Sequence, residues 1–485
     1  MRRPDARHLA PMLLCATAAA ARLMVGPHIV DDAYITMRYS RNLSSMGALS
    51  YNPPDAVLGT SSPLWTWILA AGAEAGAAPE TTAFVAASLA DIGSILLLMT
   101  ASAAKSFPAA ASAAAIAGWP AYVAYAVSGM ETSLYVLIVV GFVTSMSRGL
   151  TMVSAAAAAL GALCRPDGAL LVVLGFAWTG FSQSRIAALR FLATAATICA
   201  PWVVYAVIRF GSFVPASVSA KASAPDPWFL SVQNLQAYFW HGIYVPLTVL
   251  ALIGFVVFVK SGGPFWRIWS IWGWSYLAAM TAANGFTHFP WYFVPLLPVY
   301  IAAGAAGVAA GAAGAWHLAR NGAWHLAPGG NGAWHLFGKG ARHRQPLAAA
   351  LLGAALLSRM PALKAYLETN AAGREELYAV VAAELAALDP HCTVAATEIG
   401  TIGYYYPGRM LDLVGLVSPE VIGRPVDTVL AESRARWLIT YDTHFDRTAA
   451  GSERFSRLYE RRRTIPVGDA RALEIYERRG GCGTS

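Results

Sequence analysis

Asp31-Asp32-Ala33-Tyr34-Ile35-Thr36 follows directly on the first long apolar run of the chain, which ends near Val30. Two adjacent carboxylates at the mouth of a membrane helix are costly to place without a purpose. The stretch continues through Arg38, Arg41 and Asn42 to Tyr51-Asn52-Pro53-Pro54, then through Gly59-Thr60-Ser61-Ser62-Pro63 into the next apolar run. Outward from it the chain is apolar in blocks, near 9–28, 62–78, 82–104, 108–127, 132–147, 150–164, 168–181, 189–209, 243–259, 266–283, 291–313 and 347–363. Of 485 residues 56% are hydrophobic and 13% are charged, where a soluble domain carries roughly 25% charge. The pattern is that of an α-helical polytopic membrane protein embedded in the lipid bilayer. A formal charge of +8 reads as positive-inside topology, and no nucleic-acid partner is expected.

Arg2, Arg3 and Arg7 put the N-terminus inside, ahead of an uncleaved first membrane helix. Lys105, Arg148, Arg185 with Arg190, Lys260 with Arg267, and the group Arg320, Lys339, Arg342 and Arg344 mark further inner loops. The run at 347–363 then leads outward. The chain from 366 on lies outside, with the loops at 284–290, 210–242, 164–168 and 128–131. Parity breaks once before Lys105, so either 62–78 or 82–104 does not fully cross, leaving about eleven spans. Residues 1–365 form the membrane domain, with a first outer loop over 29–62. Within the inner loop at 314–346, Ala-Trp-His-Leu recurs at 315–318, 323–326 and 333–336, a low-complexity repeat with no catalytic role. Residues 366–485 form a small extracytoplasmic α/β domain, with a helix over Glu375–Leu388 and strands over Thr393–Ala396, Met410–Val414 and Trp437–Tyr441. The five cysteines lack metal-ligand spacing; Cys392 and Cys482 can pair if the tail is exported.

The unusual polar residues all fall on the outer face. A carboxylate at the membrane surface can take the proton from an acceptor hydroxyl. It can also hold a divalent ion, Mg or Mn, beside a phosphate leaving group. Asp31 and Asp32 are the candidates for both roles, although Asp is equally a good helix cap. Arg38 and Arg41 lie three apart, on one face if the stretch is helical, and defy the positive-inside rule; an anionic lipid group or the headgroup region is their partner. Glu131, in Gly129-Met130-Glu131-Thr132, stands at the outer end of a run, where it is either functional or a complement to the helix dipole. Arg165-Pro166-Asp167-Gly168 is a tight turn in which an Arg165–Asp167 salt bridge is the simplest account. Lys221, at the end of Pro215-Ala216-Ser217-Val218-Ser219-Ala220-Lys221, is a candidate phosphate contact. His288-Phe289-Pro290-Trp291-Tyr292 offers His288 to phosphate or sugar, and Tyr292 to a sugar ring or the membrane interface. In the tail, the glycines of Glu398-Ile399-Gly400-Thr401-Ile402-Gly403-Tyr404-Tyr405 suggest close backbone approach ahead of Asp412-Leu413-Val414-Gly415-Leu416.

Taken in order, these motifs resemble the GT-C membrane glycosyltransferases, most of all the mycobacterial terminal arabinofuranosyltransferases and their bacterial relatives. The resemblance covers nearly the whole chain. It implies a multispanning core, a catalytic Asp in the first outer loop, an exported C-terminal domain and a polyprenyl-phosphate-linked sugar donor. On that reading Asp31 or Asp32 is the base, and Arg38, Arg41, Glu131, Arg165, Lys221, His288 and Tyr292 line the donor site. Glu398 and Tyr404 meet a glycan acceptor. The expected activity is transfer of D-arabinofuranose from decaprenyl phosphate to a cell-envelope glycan outside the plasma membrane. Mannose or aminoarabinose transfer to protein or lipid A is the alternative. A transporter or flippase of lipid-linked sugars would show repeats of opposite topology, which the chain lacks. The tail is shorter than the family pattern, and the Ala-Trp-His-Leu loop is foreign to it.

Overall fold

The computed structural model describes residues 6–100, 106–223, 228–283, 289–321, 345–369, 373–441, 452–467 and 471–480. The membrane part is helical: α1 Ala6–Val25, α2 Asp31–Met46, α3 Pro63–Glu74, α4 Pro79–Thr100, α5 Phe107–Gly118, α6 Pro120–Ala126, α7 Thr132–Ser147, α8 Thr151–Cys164, α9 Ala169–Ser182, α10 Arg185–Phe210, α11 Ala216–Ser223, α12 Trp228–Phe239, α13 Tyr244–Ser261, α14 Pro264–Ala282, α15 Leu297–Asn321, α16 Gln345–Leu357 and α17 Met360–Leu367. Among the described residues four helical segments are long and apolar enough to cross a membrane: Pro79–Thr100, Arg185–Phe210, Tyr244–Ser261 and Pro290–Ala313. Four shorter apolar helices, Leu9–Val25, Phe107–Gly118, Thr132–Ser147 and Thr151–Cys164, stand beside them. Of the two runs that parity left open, α3 has 12 residues and α4 has 22. At 1.5 Å per residue α3 rises about 18 Å and α4 about 33 Å, against a hydrocarbon core of ~30 Å.

Much of the first outer segment is helical, since α2 occupies Asp31–Met46. Two runs are broken. Trp119 is extended before Pro120, which separates α5 from α6, because the residue preceding a proline is driven out of the helical region. The run at 347–363 is split into α16 and α17. The loop expected at 314–346 is shorter at both ends: α15 extends to Asn321 and carries the first Ala-Trp-His-Leu copy, and α16 begins at Gln345. The other two copies lie outside the described residues.

Small residues let the helices close up. A Cβ on Gly254 of α13 would stand 1.8 Å from the Ala303 carbonyl oxygen of α15, and one on Gly307 would stand 2.1 Å from that of Leu250. Backbone contact of this kind replaces the hydrophobic drive that is missing between helices in lipid. A buried ion pair joins α1 to α4: Arg22 Nη2 lies 2.7 Å from Asp91 Oδ2, and both side chains are almost wholly enclosed. Arg22 also donates to the Ile116 and Ala117 carbonyls at the α5 break, and Tyr122 donates to Asp91 Oδ1. The guanidinium thus meets carbonyls that a continuous helix would have paired internally.

The C-terminal domain adds α18 Gly373–Leu388, β1 Val394–Ala396, α19 Gly400–Tyr405, β2 Met410–Asp412, α20 Val426–Ser433, β3 Trp437–Thr440, α21 Glu453–Leu458, β4 Tyr459–Val467 and β5 Arg471–Arg478. The sheet order is β2-β1-β3-β5-β4. The first three strands are parallel, with Val394 opposite both Met410 and Trp437; β5 runs antiparallel to β3 and β4. All three expected strands and the expected helix are present, each within about two residues. The tail shares a core with the membrane part: Ile35, Tyr39, Tyr51 and Trp202 pack in one cluster with Ile399, Ile402, Tyr406 and Trp437. Cys392 is disulfide-bonded, whereas Cys15, Cys164 and Cys199 are free; Cys482 lies outside the described residues.

Candidate active site

A cavity of about 160 Å³ opens where the loops of the membrane part meet the tail. Asp32 and Thr36 of α2 form one wall, and Thr60, Ser61 and Ser62 approach from the segment before α3. Glu131 comes from the turn before α7, Arg165 and Asp167 from the turn after α8, Ser217 from α11, Trp291 and Tyr292 from the turn before α15, and Leu416 from the tail. Segments far apart in sequence thus converge on one cavity.

Arg165 is the electrostatic centre. It is 2% exposed. Its Nε lies 3.0 Å from Asp167 Oδ1 and its Nη1 3.4 Å from Glu131 Oε1. Its guanidinium carbon stands 4.9 Å from the Tyr292 ring centre and 5.3 Å from that of Tyr135. The Tyr276 hydroxyl donates to Asp167 Oδ2 and to the Tyr292 carbonyl. The salt bridge with Asp167 expected from the turn is therefore present, and both its members also face the cavity. Nη2 of Arg165 is buried with no hydrogen-bond partner among the described residues, and so is Oγ of Ser217. A buried donor left unpaired costs about 1–3 kcal/mol, more when charged, and here it borders a cavity wide enough for an anion. Burial raises the Glu131 carboxyl above its usual range, against the pull of Arg165.

The adjacent aspartates part company. Asp32 lines the cavity. Asp31 is buried and turned to the tail: its Oδ2 accepts from Gly400 N at 3.0 Å and its Oδ1 from Thr401 N at 2.7 Å. Burial first, then the neighbouring Glu398 carboxylate, push the Asp31 carboxyl up to about 7. The two adjacent carboxylates thus face different partners, Asp31 the tail backbone and Asp32 the cavity. Among the described residues no group of three or more His, Cys, Asp or Glu could hold a metal.

Several other expected site residues stand elsewhere. Arg38 is buried against the tail and does not line the cavity. It donates to the carbonyls of Tyr51, Gly403, Tyr406 and Gly408 and to Asn52 Oδ1, and stacks 4.4 Å over the Tyr51 ring. Arg41 donates to the Tyr404 carbonyl at 2.6 Å and stacks on that ring. Neither arginine lines the cavity, and both donate to the backbone of the tail. Tyr404 packs on Tyr34, with ring centres 5.0 Å apart. Glu398 accepts from Tyr378 at 2.6 Å and pairs with Arg374 at 3.2 Å. Neither lines the cavity. Lys221 sits four residues beyond Ser217 on α11; its side chain, and all of His288, lie outside the described residues. Sequence reasoning missed Ser217, Trp65 and Leu416 as wall residues. Ser217 stood in a quoted motif; the other two carry no chemical signal.

A domain of unknown function, DUF8728, matches residues 367–477. No curated protein matches the chain. Among solved structures, ArnT from Cupriavidus metallidurans bound to undecaprenyl phosphate is similar at 15% identity, over 96% of this chain and 97% of that one, with a TM-score of 0.59. The Archaeoglobus fulgidus oligosaccharyltransferase is similar at 11% identity over 95% of this chain and 72% of that one, TM-score 0.53. Arabinofuranosyltransferase AftD from Mycobacteria, at 14% identity, spans the whole of this chain but 41% of its own, TM-score 0.47. The chain has the multi-pass membrane fold of the GT-C glycosyltransferases, completed by a small C-terminal sheet domain.

Proposed function

We propose that the protein is a glycosyltransferase that moves a sugar from a polyprenyl phosphate to a hydroxyl of a cell-envelope glycan. The observation that carries this is the cavity lined by Asp32 and by Arg165, whose buried Nη2 has no hydrogen-bond partner among the described residues. As the acceptor oxygen attacks the anomeric carbon, its proton passes to the Asp32 carboxylate. The bond to phosphate oxygen breaks, and the charge developing on the leaving phosphate is met by Arg165. Ser217 and the hydroxyls of Thr60, Ser61 and Ser62 supply further donors, and Lys221 would add charge from the same helix as Ser217.

A lipid donor has support from a second cavity of about 410 Å³ between α12, α13, α14 and α15, lined by Leu235, Phe239, Leu252, Phe255, Trp274 and Leu277 among others. Trp291 and Tyr292 line the polar cavity, while Leu296, Val299 and Tyr300 line the apolar one. One short segment therefore runs from the wall of one to the wall of the other, as a phosphate with a long apolar chain requires. ArnT was solved with undecaprenyl phosphate. The disulfide at Cys392 favours an oxidising compartment for the tail, and the basic inner loops favour a cytoplasmic N-terminus in the plasma membrane.

D-Arabinofuranose is the sugar that the ordered motifs favour. The second reading is mannose or aminoarabinose carried to protein or lipid A, on the same architecture. Purified protein given radiolabelled decaprenyl-phosphoryl-arabinose and a synthetic arabinan, with unlabelled polyprenyl phosphosugars as competitors, separates the two. Asp32→Asn should lower transfer by about 10²–10⁴-fold while donor still binds. A well-folded Asp32→Asn with full activity would overturn the reading.

A further inference from the structure

We infer that Asp31 is a positioning residue: it is the joint through which the C-terminal domain holds Asp32 at the cavity. This rests on the reading of Asp32 as the base. Successive residues of a helix point about 100° apart, so pinning Asp31 to the tail turns its neighbour toward the cavity. The joint is closely built. A Cβ on Gly400 would lie 1.8 Å from the Asp31 carbonyl oxygen and 2.8 Å from its carboxyl carbon, so only glycine lets α19 approach. The remainder of α19 is held from the same stretch of membrane domain. Tyr51 donates its hydroxyl to Ile399 O at 2.5 Å, Arg38 donates to the Gly403 and Tyr406 carbonyls, and Arg41 donates to Tyr404 O. The tail is also part of the cavity wall. Leu416 borders the cavity, and a Cβ on Gly59 would stand 2.6 Å from Val417 Cγ1. A shift of α19 therefore moves α2, and with it the carboxylate that must meet the acceptor hydroxyl.

The test uses the full-length protein and two readouts. Hydrogen exchange at the Gly400 and Thr401 amides reports docking; kcat and donor KM report transfer. Asp31→Ala should expose both amides and lower kcat by about 10–100-fold, the cost of a small misplacement, with donor KM unchanged. Asp31→Asn keeps one acceptor oxygen and should recover most of that loss. Gly400→Ala should reproduce the Asp31→Ala phenotype from the tail side, and the double variant should be no worse than the poorer single one. If Asp31→Ala does not fold, Gly400→Ala carries the same comparison. Asp31→Asn as inactive as Asp32→Asn would overturn the inference, since Asp31 would then act chemically. So would unchanged amide protection in Asp31→Ala, lost protection with intact kcat, or additive losses in the double variant. If the wild type transfers no polyprenyl-linked sugar, the proposed function fails instead; the exchange measurement then upholds the joint if protection is lost in Asp31→Ala and overturns it if protection stays.

Discussion

Replacing Arg165 by lysine tests the donor site at its buried charge. The guanidinium serves two carboxylates, Asp167 at 3.0 Å and Glu131 at 3.4 Å, and keeps Nη2 over for a ligand. Lysine keeps the charge but concentrates it at one atom without the planar fork, so it cannot serve both carboxylates and a phosphate. One lost charge-assisted hydrogen bond is worth about 1.5–3 kcal/mol, or about 10–150-fold in Kd. Leaving a buried carboxylate poorly paired costs up to about 3–5 kcal/mol of stability, so the Tm of the variant must be followed beside its affinity. Trp65 and Trp291 line the cavity, which makes quenching of tryptophan fluorescence by undecaprenyl phosphate a direct assay. The cavity sets one guanidinium against three carboxylates, Asp32, Glu131 and Asp167, and an incoming phosphate adds another negative charge. Glu131, already raised by burial, is the group poised to take up a proton as phosphate binds. Wild-type affinity should therefore weaken as pH rises, by linkage between proton uptake and binding. A folded Arg165→Lys that binds undecaprenyl phosphate within about twofold of wild type would refute this electrostatic account.

The Asp31 carboxyl is pushed up to about 7 in the folded chain, from about 3.9 unfolded. The folded chain thus holds that proton more tightly, so its contribution to stability is full below about pH 4 and is lost as pH rises through about 7. Glu398 shifts in the same direction. The fall in Tm from about pH 5 to about pH 8 should be shallower in Asp31→Asn; equal slopes would exclude Asp31 as a source. Arg22→Met strands Asp91 in a dry interior and frees the Ile116 and Ala117 carbonyls. It should cost about 3–5 kcal/mol by unfolding in detergent, and a loss under about 1 kcal/mol would contradict the pairing. Leu416→Ala opens the tail's side of the cavity and should raise KM for the acceptor while leaving donor KM alone; a change in donor KM only would place Leu416 on the wrong side.

What the sequence made legible is chemistry at helix ends. Asp32, Glu131, Arg165 and Tyr292 were identifiable because a charge or hydroxyl at the rim of an apolar run is conspicuous, and the structure brings these four to one cavity. The tail strands were legible for a similar reason: apolar runs too short for a helix and bounded by turn residues fit buried strands. The division between Asp31 and Asp32 was not legible. Two neighbours of one type differ only in direction, and that direction is set by Gly400 and Thr401, which are 369 and 370 residues away. Arg38 misled for the same reason. A basic residue on the outer face invites a phosphate, yet its partners are carbonyls of Gly403, Tyr406 and Gly408. The Arg22–Asp91 pair was hidden by its setting, each charge diluted within an apolar run, although a charge inside such a run is itself a signal.

The Asp31 and Arg38 failures share a cause that bears on how the molecule works. Arg38, Arg41, Asp31 and Tyr51 all bond to the backbone of the tail between Ile399 and Gly408. Backbone partners leave no complementary side chain to notice, so an interface of this kind is silent in composition. It is sensitive at glycines where a Cβ would meet the membrane domain. Gly403 is such a position: a Cβ there would lie 1.8 Å from the Tyr51 hydroxyl and 3.2 Å from Arg38 Nη1. The tail is thereby fixed to the first outer segment largely through its main chain.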